Sequence, residues 1–465
     1  MTRTKTKDPF YSQIKILVIP IIIQNLLSAM VSSADVVMLG FVDQDSISAV
    51  SLASQYANVL FSIFYGFGTG VTMLCAQYYG KKDMNAINAV QGIALRFSVS
   101  ICTVFSLCAL LIAEFMMKIF TKNEDIINAG AEYLRIVSIS YFCWGIIEIF
   151  LATLRSVERV VICTVLNVTT FSLNIILNAV LIFGWFGLPK LGVMGVAIAT
   201  STSRVIELIL CFIVSARSKD VKLKISAVFA KNKVLFKDFV RLSMPAVAND
   251  VIWGVAFSVY AAILGNLSDD AVAANAIVAV VRNFGTVFCF GIASAGGILI
   301  GKIIGENKPE EAKEGAKKMV KLTVISGIVG GLIILAAMPR VLKLASYKLT
   351  EGAMECLFWM LLINTYYISG AALNTTLIAG IFRAGGDSRF GFICDTIDMW
   401  CYAVPLGLLT AFVFKLPVLL VYFLLCTDEF VKWPWVIKHY KSGKWLNNVT
   451  RDDWGQDGSL EQKAE

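Results

Sequence analysis

The sequence predicts an all-α membrane protein: twelve transmembrane helices in two six-helix lobes, related by a pseudo-two-fold axis along the membrane normal. Three observations predict it. Apolar runs of eighteen or more residues recur along the whole 465-residue chain, each long enough to cross a bilayer as a helix. Charged residues make up 16% of the chain and hydrophobic ones 57%, whereas a soluble domain carries about 25% charged residues. The chain also matches itself: Pro20 aligns with Pro245, Gly40 with Gly265, Asp45 with Asp270, Ala49 with Ala274, Gly66 with Gly291 and Gly80 with Gly305, all without a gap. Six spans per repeat is an even number, so both halves enter the membrane in the same sense, as in parallel-repeat transporters.

The spans fall at about 14–40, 50–79, 89–120, 127–153, 160–186 and 192–215 in the first half. Those of the second fall at 241–265, 271–302, 315–338, 353–381, 390–413 and 416–438. The expected domains are a cytoplasmic tail (1–13), an N-lobe (14–215), a cytoplasmic linker with a short amphipathic helix (216–240), a C-lobe (241–440) and a second tail (441–465). With the N-terminus inside, 30 of the 41 Lys and Arg residues lie in the inner loops and tails and six in the outer loops. That bias puts both termini in the cytoplasm and makes the net charge of +8 a topology signal rather than a nucleic-acid footprint. The polar, basic start and the long first apolar run do not read as a cleavable signal. None of the 11 cysteines forms a CxxC pair and there is one histidine, His439. The cysteines therefore read as apolar filler, and neither a metal centre nor a membrane-embedded enzyme is expected.

Within the first span, Asn25, Ser28, Ser32 and Asp35 recur at helical spacing and make one polar face in an Ile, Leu and Val helix. A carboxylate there costs roughly 2.5–3.5 kcal/mol on insertion scales, so Asp35 must face protein or water and is a functional candidate. Asn174 and Asn178 share a face of the fifth span at i, i+4; amide oxygens suit a hard cation such as Na⁺. Pro20 and Pro245 each remove one helical hydrogen bond and are the expected hinges. In the second lobe Asp250 is followed on its own face by Trp253, Phe257 and Tyr260. A carboxylate above aromatic rings can hold a cationic substrate, and Asn25 joins the same expected cavity. At the inner mouth Arg155 is expected to pair with Glu158, and Arg383 with Asp387. Asp395 and Asp398, at i, i+3 in the eleventh span, are expected to anchor Arg383 or Arg389.

Several segments carry a family likeness in order and spacing. They are Pro20 with Asp35 and Gly40, GFGTGVTMLCAQYYG (66–80) with its twin GIASAGGILIGKIIG (291–305), NIILNAVLIFG (174–184), GVMGVAIAT (192–200), FRAGGDSR (382–389) and DMWCYAVPLG (398–407). Along nearly its whole length the chain resembles the multidrug and toxic compound extrusion (MATE) transporters. The resemblance implies two lobes around a central cavity and efflux of organic, often cationic, compounds in exchange for Na⁺ or H⁺. It also implies that Asp35 is the coupling acid, closed upon by Asn174, Asn178 and Thr200, and that bending at Pro20 is tied to coupling. Some relatives carry an acid where this chain has Asn178. One branch uses acids in spans seven and ten, but here span ten has none between Asn364 and Gly380.

The expectation is a secondary active exporter, monomeric, in a bacterial-type inner membrane. Its partners are small organic substrates and lipids, with no nucleic acid and no cofactor beyond Na⁺ or H⁺. No GxxxxGK[ST] loop occurs, so ATP does not drive it. The nearest alternative is a flippase for lipid-linked precursors. That activity needs a clustered basic cavity, and the in-span cations Arg96, Lys118, Arg135, Arg204 and Arg282 are scattered. A channel is a third reading.

Overall fold

The computed structural model describes residues 9–39, 44–187, 189–218, 220–223, 228, 232–347, 349–452 and 454; the side chains of 9, 32–37, 39 and 44–47 are not described. The described elements are helical. The first half comprises α1 (Pro9–Leu39), α2 (Gln44–Gly80), α3 (Met84–Leu111), α4 (Ala113–Phe120), α5 (Glu124–Ser156), α6 (Val160–Phe183) and α7 (Gly192–Arg217). The second comprises α8 (Lys233–Gly265), α9 (Asp269–Gly305), α10 (Pro309–Ala345), α11 (Glu351–Phe382) and α12 (Ser388–Val413). It ends in the short α13 (Val418–Leu425), α14 (Asp428–Val431) and α15 (Trp433–Ser442).

Among the described residues eleven helices are long and apolar enough to cross a membrane. The twelfth expected span is instead the run of three short helices from α13 to α15. Pro434 near the start of α15 has no N–H to donate, and the chain turns through Cys426 and Thr427.

The repeat is visible in helix lengths. Helices α2 and α9 both have 37 residues and start 225 positions apart. Helix α10 runs unbroken from Pro309 to Ala345; its counterpart is α3 followed by α4, which break at Ile112, where φ is −121°. The C-lobe differs by π-helical turns at Thr375–Phe382, Ile397–Ala403 and Leu409–Val413. Such turns insert a residue into the hydrogen-bond ladder and often mark functional positions.

Two compact units form, and their borders do not follow the linker alone. One holds residues 1–22 with 242–450; the other holds 23–241 with 451–465. Helix α1 therefore passes from one unit to the other between Ile22 and Ile23, and α8 does so between Arg241 and Leu242. The expected assignment of residues 14–22 to the N-lobe is corrected by packing: Phe10, Ile14, Leu17 and Ile21 are buried, and Phe10 and Ile22 lie against Gly315 and Gly291 of the second half. The expected linker is shorter than 216–240, because α8 begins at Lys233; much of the remainder lies outside the described residues. The C-terminal segment is not a free tail either. Trp445 is buried, Asn447 N–H donates to the Gly385 carbonyl at 3.2 Å, and Arg451 forks onto Asp238 at 2.5 and 2.9 Å.

The first-half unit has a core around Phe64, Met117, Leu134 and Tyr141. The other has one core around Leu357, Met360 and Ile368 and a smaller one around Tyr260, Ala403 and Val421. Because lipid is as apolar as leucine, close backbone approach rather than hydrophobicity holds such helices together. At α9 against α11, a Cβ on Gly380 would sit 2.9 Å from the Ala293 carbonyl oxygen. Gly380→Val should therefore lower stability by about 1–3 kcal/mol, read as thermal unfolding in detergent; wild-type stability would show that this contact is not tight in solution.

Candidate functional site

In the first-half unit a polar seam forms between α6 and α7. Asn178 Nδ2 donates to Asn174 Oδ1 at 3.2 Å, and Asn174 Nδ2 reaches Thr200 Oγ1 at 3.4 Å. Both asparagines are buried. Their four-residue spacing stacks them on one face of α6, and the repeated small residues of 192–200 let α7 approach that face. The structure thus brings together Asn174, Asn178 and Thr200. Asp35 falls within α1, but its side chain lies outside the described residues. Asn25 is half-buried, and its neighbour Gln24 is tied to Thr164, Nε2 donating to Oγ1 at 2.7 Å.

The first-half unit also neutralises its own charges. Arg155 pairs with Glu148 at 2.5 Å and not with Glu158. Residues 148 and 155 are two turns apart on one face of α5, whereas Glu158 lies past the helix end with φ of 62°. Arg204 pairs with the fully buried Glu207 at 2.7 Å and lies over the Trp144 ring at 5.4 Å.

In the second-half unit three expectations are corrected. Asp250 does not wait for a cationic substrate: Arg383 forks onto it, Nη2 to Oδ1 at 2.8 Å and Nη1 to Oδ2 at 3.2 Å, and both side chains are largely buried. Asp387 is therefore not the partner of Arg383. It caps α12, accepting from Phe390 N–H at 3.2 Å, and meets His439 Nε2 at 2.7 Å. Asp395 and Asp398 anchor neither Arg383 nor Arg389. They hold Lys432, at 3.1 and 3.6 Å, together with Glu429 at 3.2 Å.

That lysine is 2% exposed, although its sequence position placed it among the inner-side basic residues. Asn249 donates to Asp395 at 3.0 Å, and Asn374 to Glu429 at 2.6 Å. Asp428, next in the chain to Glu429, accepts from Tyr260 Oη at 3.3 Å and from the Glu429 N–H at 2.7 Å. Neither oxygen of Asp398 has a hydrogen-bond partner among the described residues. Three buried carboxyls thus surround one ammonium, with Asp428 beside Glu429 in the chain, and no group of three of these acids converges on a metal site among the described residues. Reading the sequence missed this cluster because it singled out neither Asp428, Glu429 nor Lys432 within the twelfth span, 416–438. The signal was the pair Asp428–Glu429 with Lys432 inside it.

Trp253, Phe257 and Tyr260 form a ladder, with ring centroids 4.3 and 5.5 Å apart. Trp253 is 37% exposed and Tyr260 is buried. Phe257 and Tyr260 line a cavity of about 200 Å³ with Arg282, Tyr367, Tyr422 and Asp428. Asp250 is not on its wall. Pro20 and Pro245 both lie inside their helices, which continue past them.

A family model described as MatE matches residues 20–180 and 245–409, both halves of the repeat. The chain belongs to the MATE family. It is accordingly a multi-pass membrane transporter acting on small organic compounds, and not an enzyme. It is similar to "Uncharacterized transporter YisQ" of Bacillus subtilis, 22% identical over 92% of this chain and 93% of that one. It is also similar to "Probable multidrug resistance protein NorM" of Thermotoga maritima, 23% identical over 92% of each. A solved transporter of the MOP superfamily from Pyrococcus furiosus superposes with a TM-score of 0.84 at 18% identity, over 96% of this chain and all of that one. In this MATE protein span ten has no acid between Asn364 and Gly380, and Asn364 donates to Tyr422 Oη at 2.6 Å.

The Arg383–Asp250 fork makes a measurable prediction. Removing one partner of a buried pair leaves the other uncompensated, which costs about 3–5 kcal/mol. Arg383→Ala should therefore destabilise more than the double variant Arg383→Ala with Asp250→Ala, measured by unfolding of each purified variant. Additive losses would show that the pair is not coupled.

Proposed function

We propose that this MATE protein is a secondary exporter of small organic compounds that exchanges them for Na⁺ or H⁺ by alternating access. The observation that carries the reading is the path of the two repeat-related helices. Helix α1 leaves one compact unit for the other two residues after Pro20, and α8 makes its passage shortly before Pro245. A proline removes one backbone hydrogen bond from each helix near the border it crosses, which favours bending there. The two units would then change orientation without either core repacking.

Coupling is assigned to Asp35 with Asn174, Asn178 and Thr200. The seam of two amides and a hydroxyl supports this: it offers neutral oxygens on α6 and α7, and α1, whose Gln24 bonds Thr164 of α6, carries an acid in an apolar span. Neutral donors suit either ion, Na⁺ through oxygen coordination or H⁺ through hydrogen bonding to the protonated acid. One charge moving through 100 mV supplies about 2.3 kcal/mol, enough for modest uphill export. The orientation with both termini inside, supported by the distribution of Lys and Arg, the monomeric state and residence in a bacterial-type inner membrane belong to the same proposal.

The test is dye efflux from proteoliposomes with Na⁺ and pH gradients imposed separately. Asp35→Asn should abolish gradient-driven efflux with its unfolding midpoint unchanged; full transport by that variant removes Asp35 from the mechanism. Pro20→Ala and Pro245→Ala should each slow efflux while leaving equilibrium substrate binding within a factor of about two, since uniform binding does not depend on the rate of the conformational step. Wild-type rates in both variants would end the hinge assignment.

A further inference from the structure

The second-half unit contains a cation that its own acids do not neutralise. Arg282 lies thirteen residues into α9, about 20 Å along the helix at 1.5 Å per residue. A charge at that depth needs a partner. Arg383 has Asp250 and Lys432 has three carboxylates. No carboxylate lies within ion-pair distance of Arg282 among the described residues. Its guanidinium rests instead over Phe257 at 5.2 Å and Tyr367 at 6.0 Å, which leaves its N–H edge free for an acceptor.

That edge borders the cavity of about 200 Å³, whose wall carries four aromatic rings, Phe257, Tyr260, Tyr367 and Tyr422, with apolar Leu264 and Leu425 and with Asn275 as a further polar group. Asp428 also borders it, but its oxygens are engaged by Tyr260 Oη and the Glu429 N–H. The size is informative. An apolar cavity of about 150 Å³ holds benzene, so this one accommodates a single ring with one small substituent and not a fused polycyclic drug. A guanidinium fork is the side chain best matched to a carboxylate.

We propose that this cavity is a binding site for small single-ring aromatic carboxylates, the carboxylate on Arg282 and the ring among the four aromatic side chains. The site lies wholly within the second-half unit and is independent of the coupling scheme assigned to α1. It would place organic anions among the small organic substrates of this transporter.

The test is calorimetric titration of the purified full-length protein in detergent with benzoate, benzamide and benzylammonium, and no gradient. Benzoate should bind roughly tenfold or more tightly than benzamide, the usual difference made by a charged acceptor. Arg282→Gln should reduce benzoate to the benzamide level. Arg282→Lys, which keeps the charge and guards against misfolding, should fall between. Ala261→Trp, which fills the cavity, should abolish binding of both rings. The proposal is overturned if wild type fails to bind benzoate, if benzylammonium binds most tightly, or if Arg282→Gln keeps wild-type benzoate affinity. Because binding is read without transport, a failed Asp35→Asn efflux test leaves this result standing, and the reverse also holds.

Discussion

The bilayer offers no water to a buried charge, so every ionised side chain within the helices must find its partner inside the protein. That constraint explains most of the polar geometry. Lys432 is buried and gathers Asp395, Asp398 and Glu429 from α12 and α14. Arg383 at the end of α11 closes on Asp250 of α8, and Arg204 closes on Glu207 one turn along α7. The pairings of Lys432 and Arg383 draw together helices that lipid alone would not press into contact, and they fix helix rotation, because a rotated helix would leave a carboxylate facing hydrocarbon.

The repeat shows where that constraint acts differently in the two halves. Helices α2 and α9 have kept the same length and offset, and Gly66 and Gly80 keep their twins at Gly291 and Gly305. The later helices diverged. Helices α6 and α7 are regular and joined by an amide seam, whereas their counterparts contain π-helical turns and three short helices in place of one span. Asp398 sits within one such turn. Asp395 lies just before that turn, and the i, i+3 spacing puts both acids on one face, where they meet Lys432. The irregular backbone and the buried charges occur in the same place because each irregular turn needs polar partners and each buried charge needs a precise approach.

Much of the fold was legible in the residues themselves. Runs of eighteen apolar residues mark eleven of the helices, since length and hydropathy are local properties, and the ungapped Pro and Gly matches marked the repeat. Asn174 and Asn178 were legible as a pair because helical spacing alone puts them on one face; the contact with Thr200 required the family resemblance. The pairings were not legible. Arg155 has Glu158 three residues away yet binds Glu148, because the helix ends at Ser156 and turns Glu158 aside. Arg383 has Asp387 four residues away yet binds Asp250, 133 positions distant, because Asp387 is committed to capping α12. Spacing predicts partners only while both residues stay on one helix, and both errors arose where a helix stops. Lys432 was misread for a related reason: a basic residue near the end of a chain counts toward topology unless its neighbours in space are known.

The two units therefore differ in what their polar groups can do. In the first-half unit the seam of Asn174, Asn178 and Thr200 is made of neutral groups, which can gain or lose a small ion beside them at little electrostatic cost, since no fixed counter-charge must be displaced. In the second-half unit Asp250, Asp395, Asp398 and Glu429 are already occupied by Arg383 and Lys432, and a visiting cation would have to compete there with a tethered one at a distance near 3 Å. Ion exchange is thus easier to build on the first unit. Among the described residues of the second unit, Arg282 has no carboxylate within ion-pair distance and is set among aromatic rings. On the two proposals made above, an ion is traded in one unit and an aromatic acid recognised in the other. The two functions need not share a residue, because α1 and α8 each run through both units and can carry a change in one to the other along a continuous helix.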